Sequence, residues 1–238
     1  MKITLVGAGR AGLSLFDALG DVGHQVRLVH HDEVDCVEES DLIILCVPDD
    51  TIEAVSNELS VSENTVVAHV AGSRGLKELS KHSRRAFMHP LAAMPTREVG
   101  ATRLRGALYS VGGDQLVDEV VASLGGRAVH LSDEERVLYH ATASVTANHL
   151  VALLGHARVL AESAGLSLED FLPLAQQALD DVRALGVDEA LTGPASRADM
   201  ATIDAHLAAL PASERSTYVA LANAAFELAE QRRATSGV

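Results

Sequence analysis

A chain of 238 residues, 47% of them hydrophobic, is long enough for one large core or two modest ones and too apolar to be disordered. Its 19 Lys and Arg against 33 Asp and Glu leave a formal charge of −14, and Trp is absent. That balance argues against a nucleic-acid partner, which needs clustered cations and stacking rings. No continuous apolar run approaches ~18 residues, the start carries no basic-then-apolar leader, and Cys36 and Cys46 make no disulfide framework. These features predict a cytoplasmic protein with no membrane span.

Residues 2–6 form a short apolar, β-branched run that ends abruptly in Gly7-Ala8-Gly9-Arg10-Ala11-Gly12. A helical pattern (Leu13, Leu15, Phe16, Leu19) follows at once. Glycines at 7, 9 and 12 have G-x-G-x-x-G spacing, and each has a physical task in a dinucleotide site. Gly7 permits the tight turn and Gly9 lets backbone approach a pyrophosphate, while Gly12 lets the helix pack close to the sheet. The new helix presents unpaired N–H groups and its positive dipole end to the phosphates.

Further strands are predicted at 25–30, 41–47, 65–70, 85–88, 107–111 and 128–131, separated by helix-length connections. The run 41–47 is almost continuously apolar, as for a parallel strand covered on both faces. Such alternation predicts an α/β, doubly wound Rossmann domain over 1–131, with right-handed crossovers. Ligands of these sheets bind beyond the carboxyl ends of the strands. Val47-Pro48-Asp49, Gly72-Ser73 and His89-Pro90 all fall there, and are predicted to line one crevice with the glycine loop. An NAD site normally has an acid at the end of the second strand. Here that position is His30, followed by His31, with Asp32 in the loop beyond. Imidazoles and the nearby Arg10 favour the 2′-phosphate of NADP, with NAD as the alternative.

From Ser132 onward the strand pattern stops and alanine and leucine dominate, predicting an all-α domain over 132–238. Ser132 and Glu135 form a capping-box sequence, and the helical pattern then runs to Gly165. A helix of that length suggests a homodimer spine. Further helices are expected from Ser167 to near Gly186, from Pro194, and from Pro211 to about Arg233. His140, Ser144 and Asn148, at i, i+4 and i+8, share a face of the long helix and offer a proton donor and hydrogen-bond partners to a small-molecule substrate. Arg197, Asp199, Thr202 and His206 recur near one side of the third helix, whose start at 192–196 is a candidate anion site. No H-x₃-H or C-x₂-C spacing occurs, so no metal is expected.

The chain resembles the Rossmann-like proteins with a DUF2520 domain, of the 6-phosphogluconate-dehydrogenase-like superfamily. Ketopantoate reductase and pyrroline-5-carboxylate reductase are relatives within that superfamily. The likeness is carried by residues 7–12, Val47-Pro48-Asp49-Asp50, His89-Pro90-Leu91, Tyr139-His140-Ala141, Asn148, and the block 191–199 with His206-Leu207. It implies a nicotinamide-dependent reductase with a helical dimerisation domain. One departure matters. The superfamily's hydroxyacid dehydrogenases use Lys-x-x-x-Asn on this helix, and here Asn148 matches while the lysine position is Ser144. His140 is then the candidate acid, with Arg197 for a substrate carboxylate, and an imine substrate needs a strong acid less than a ketone does. The alternative is a non-catalytic NAD(P) sensor, which has no need of polar side chains at 140, 144 and 148.

Overall fold

In the computed structural model, residues 1–30 and 40–236 are described, and they fall into two compact units, Met1–Ala147 and Asn148–Val238. His31, Asp32 and Cys36 lie outside the described residues.

The first unit is built on one seven-stranded sheet of order β2-β1-β3-β4-β5-β6-β7. Its strands are β1 (Lys2–Val6), β2 (Gln25–Val29), β3 (Leu42–Leu45), β4 (Val66–His69), β5 (Arg85–Pro90), β6 (Leu108–Gly113) and β7 (Arg127–His130). All seven predicted strands are present. Strand pairing is parallel from β2 across to β5, and the chain turns back between β1 and β3, so helices can cover both faces. Side chains of successive strand residues point to opposite faces. Thus Ile3, Leu5, Leu42 and Ile44 enter one buried cluster, while Val6, Ile43 and Leu45 enter the other.

One element departs from a fully parallel sheet. β6 runs antiparallel to β5, pairing Pro90 with Tyr109 and Met88 with Val111, and β7 follows β6 in parallel. The intervening helix α3 (Arg97–Leu104) therefore returns the chain to the same edge instead of completing a crossover. It packs on α1 (Arg10–Asp21), where Gly100 lies so close that an added Cβ would sit 2.1 Å from Ser14 Oγ. Arg97 also clasps Asp17 through two nitrogens, each 2.6 Å from a carboxylate oxygen. The remaining helices of the sheet are α2 (Ile52–Glu58) and α4 (Leu116–Ser123).

The long helix begins as predicted. Ser132 Oγ accepts from Glu135 N–H and Glu135 Oε2 accepts from Ser132 N–H, closing the capping box. It is not uniform, however. α5 (Asp133–Ala143) passes through a π-helical segment (Ser144–His149) into α6 (Leu150–Ser163). The i→i+5 bonding of this segment widens the helix locally. The first compact unit extends along this helix to Ala147, beyond the 131/132 boundary expected from composition, because Arg136, Tyr139 and His140 pack onto the sheet.

In the second unit α6 is followed by α7 (Leu172–Leu185), α8 (Val187–Ala190), α9 (Gly193–Ser196), α10 (Met200–Ala209) and α11 (Arg215–Ser236). The single helix expected from Pro194 is in fact two. Ala198 takes a left-handed φ of 55°, and Asp199 then caps α10 by accepting from Thr202 N–H at 3.1 Å. Arg197 therefore ends α9 and does not share a face with Thr202 and His206. With four residues, α9 is too short to carry the dipole of an anion site.

Candidate functional site

The glycine loop shows two kinds of glycine. Gly7 has φ +111°, and a Cβ there would lie 2.6 Å from the Cys46 carbonyl oxygen. At Gly12 a Cβ would lie 1.9 Å from the Gly7 carbonyl oxygen, so the first turn of α1 packs directly on the loop that feeds it. The fold itself needs both. Gly9 differs: it caps α1, is exposed, and has nothing within 4 Å of where a Cβ would stand. Among the described residues no side chain caps this helix, and no acidic residue stands in its first turn. Its leading N–H groups therefore have no side-chain cap among the described residues and carry the positive end of a twelve-residue helix. Those features fit the pyrophosphate of a dinucleotide, and Gly9 is the position where a ligand's approach would be the reason for glycine.

Neighbouring strand ends complete the rim. Val47 is half-buried, Pro48 and Asp49 are exposed, and Ser73 donates to Asp49 Oδ2 at 2.6 Å, tying the loop after β3 to the loop after β4. His30 is exposed immediately after β2, at the ribose position that an acid would normally occupy.

At the carboxyl end of β5 the chain brings together groups far apart in sequence. His89 projects from the strand, and Tyr139 and His140 reach it from α5, with ring centroids at 5.8 and 5.5 Å in edge-on geometry. Gly72 packs so tightly on the two imidazoles that a Cβ would lie 2.4 Å from His140 Nδ1 and 2.8 Å from His89 Nε2. His89 Nδ1, His140 Nδ1 and the Tyr139 hydroxyl are all buried without a hydrogen-bond partner among the described residues. Such atoms are costly unless something completes them. Burial, then the nearby His140, lowers the pKa of His89 from 6.5 to about 4, with Asp49 opposing the shift. His89 is therefore a neutral imidazole at pH 7, able both to donate and to accept. Beneath it His69 is consumed by the fold, bonded through Nε2 to the Gly75 carbonyl at 2.8 Å while Nδ1 accepts from Ala71 N–H at 3.2 Å.

Of the residues the sequence singled out, the first unit gathers the glycine loop, Val47-Pro48-Asp49, Gly72, Ser73, His89 and His140 at one edge of the sheet. Ser144 is half-buried at the start of the π segment. Asn148 and Arg197 are exposed and belong to the second unit. Sequence reasoning passed over Arg136, and named Tyr139 only as part of the family likeness, with no role. The available signal was spacing: Arg136 precedes His140 by four residues, and Tyr139 adjoins it.

A doubly wound sheet with an open glycine loop at its switch point defines a protein of Rossmann fold. Residues 111–225 match the family model "Domain of unknown function (DUF2520)", the family that the resemblance named. No curated protein sequence matches it. Among solved structures it is similar to a candidate NADP oxidoreductase from Bacteroides fragilis, at TM-score 0.80 and 21% identity, covering 95% of this chain and 98% of that one. It is also similar to a reductive aminase from Aspergillus terreus in complex with NADPH (TM-score 0.68, 18% identity, 97% and 94% covered). A third is the pyrroline carboxylate reductase of Plasmodium falciparum with NADP bound (TM-score 0.60, 12% identity, 98% of both chains). These likenesses are of fold.

One expectation changes. The helix 133–163 is long and apolar enough by length and composition to cross a membrane, although no continuous apolar run is. Polar side chains interrupt it at His140, Ser144, Asn148, His156 and Arg158. The apolar window is unburied in the single chain, with Leu138 and Val151 about two-thirds exposed.

Proposed function

We propose that the protein is an NAD(P)H-dependent oxidoreductase that reduces a small carbonyl or imine substrate bearing a carboxylate, with NADP preferred over NAD. The observation that carries this reading is one sheet edge holding both an open, uncapped glycine loop and a pair of imidazoles with unpartnered nitrogens. Gly7, Ala8, Gly9, Arg10, Ala11 and Gly12 would hold the pyrophosphate, and Val47, Pro48, Asp49, Gly72 and Ser73 would border the rest of the cofactor. His30 and Arg10, with no acid at the ribose position, favour a 2′-phosphate, and His31 is included from sequence. When bound, the nicotinamide supplies a hydride. His140 gives the proton to the substrate oxygen or nitrogen, and neutral His89 orients the same atom by hydrogen bonding. Ser144 and Asn148 add hydrogen bonds from the same helix, and Arg197 is the second unit's candidate for the carboxylate. The names of the NADP- and NADPH-bound fold neighbours support the cofactor class.

We also infer a cytoplasmic homodimer, in which a second copy covers the apolar face of helix 133–163. Light scattering on the purified chain is expected to give about twice the 25.0 kDa monomer mass, and a monodisperse monomer overturns this inference.

Titration of cofactor-free protein with NADPH and NADH tests the main reading. Binding is expected to stabilise the fold by about 2.7 kcal/mol at a hundredfold excess over Kd, NADPH acting at the lower concentration. His140→Ala should keep that shift and lose about 10²–10⁴-fold in turnover on the 2-oxo acid or cyclic imine that wild type reduces. No shift with either cofactor defeats the reading. A shift without turnover on any such substrate selects the sensor instead.

A further inference from the structure

We propose that Arg136 recognises the substrate's carboxylate, selecting substrates whose acid group lies within one or two bonds of the reacting carbon. This rests on the function proposed above but assigns the acid to a residue inside the first unit. Arg136 is only 5% exposed, and its guanidinium carbon lies over Phe87, 4.7 Å from the ring centroid. Its Nε and Nη1 are buried without a hydrogen-bond partner among the described residues. Nη2 meets Asp133 at 3.0 Å, but that carboxylate is 89% exposed and holds the cation weakly. Gly75 leaves room for the group, since a Cβ there would come within 3.0 Å of Nη2.

The surroundings do not neutralise it. Glu78 leans toward Arg74, 3.9 Å away, and Glu78 Oε2 and Arg74 Nε are themselves unpartnered. Glu78 is thus paired with Arg74, and among the described residues the ion pair that Arg136 makes is the one to exposed Asp133. A buried cation with idle donors is expensive unless an anion completes it, and a guanidinium takes a carboxylate through parallel hydrogen bonds.

Position separates this anion from the cofactor's phosphates. Phe87 is on β5, three strands from β1, or about 14 Å from the glycine loop at the usual strand spacing. His140 is one helical turn from Arg136, about 6 Å along the axis, so an acid held by one places its neighbouring carbon near the other. The positive charge of Arg136 also depresses both His69 and His89, which puts it within electrostatic reach of the imidazole pair.

The test titrates the full chain, free and loaded with NADP⁺, with a panel of 2-oxo acids, each paired with the methyl ketone lacking the carboxylate. Wild type should bind at least one acid more than tenfold tighter than its ketone. Arg136→Gln should erase that preference and leave NADPH affinity unchanged, while Arg136→Lys retains part of it. In wild-type protein the Arg136 Nε–H resonance, assigned by its absence in Arg136→Lys, should move as the acid saturates, so the proposal stays testable if Arg136→Gln fails to fold. A preference that survives Arg136→Gln but disappears in Arg197→Gln overturns the proposal. So does a weakening of NADPH relative to NADH, which assigns Arg136 to the cofactor's phosphate. Acids that bind no tighter than their ketones overturn it as well. Absent cofactor binding with intact acid preference would sink the oxidoreductase reading and leave this one standing.

Discussion

Gly9→Val is expected to give a folded protein that NADPH no longer stabilises, whereas Gly12→Ala is expected to damage the fold itself. The two glycines are three residues apart and belong to one motif, yet they answer to different forces. A side chain at 9 meets nothing within 4 Å in the chain, so the added bulk costs the fold little and fills the space a pyrophosphate needs. Valine at a helix cap is unfavourable by only about 1 kcal/mol or less relative to glycine. A methyl at 12 would stand 1.9 Å from the Gly7 carbonyl oxygen, a backbone atom fixed by its own φ of +111° and by the Gly7 N–H bond to Val29 O. Relief requires lifting α1 off the sheet, an overpacking cost of about 1–3 kcal/mol or more. For a chain of this size that lowers Tm by roughly 3–10 °C. Melts of both variants with and without NADPH check the pair. Loss of the ligand shift in Gly12→Ala alone, with Gly9→Val still responding, would remove the glycine loop from the cofactor site.

The division also marks how far sequence reaches. Seven strands were legible because each is a short apolar run cut off by Gly, Pro or polar residues, and burial on two faces writes that pattern directly. Strand direction was not legible. Nothing in the alternation of residues 107–111 distinguishes a strand paired antiparallel to β5 from a parallel one, because the same faces are buried either way. The π segment at Ser144 and the break at Ala198 were hidden too, since both lie in alanine-rich helical sequence with no proline to mark them. The imidazole pair was half legible. His89 and His140 were each singled out, but 50 residues separate them, and only the folded chain shows that they meet, with ring centroids 5.5 Å apart. Arg136 was passed over because a charged residue in the first turns of an amphipathic helix ordinarily faces solvent, and its burial over Phe87 is a tertiary event.

Lowering the pH from 7 to 5 is expected to destabilise the fold by about 2 kcal/mol through His89 alone, and His89→Gln is expected to remove that share. In the unfolded chain this imidazole titrates at its usual 6.5, whereas burial and then His140 hold it near 4 in the folded protein. Between those values the unfolded state binds the extra proton. Stability is therefore fully present above about pH 6.5 and is lost as the pH falls toward 4. His24, His69 and His82, also lowered chiefly by burial, add to the slope with the same sign. Carboxylates held down by partners, such as Asp17 against Arg97 and Asp114 against Arg84, contribute only at lower pH, so the upper window belongs to histidine. Urea unfolding of wild type and His89→Gln at pH 7 and pH 5 measures the difference. Equal pH slopes in the two proteins would mean that His89 is not held neutral by its surroundings. The chemistry depends on the same point. Two imidazoles 5.5 Å apart cannot both be protonated cheaply. With His89 kept neutral, it can orient a substrate atom by hydrogen bonding without adding a charge to this edge of the sheet.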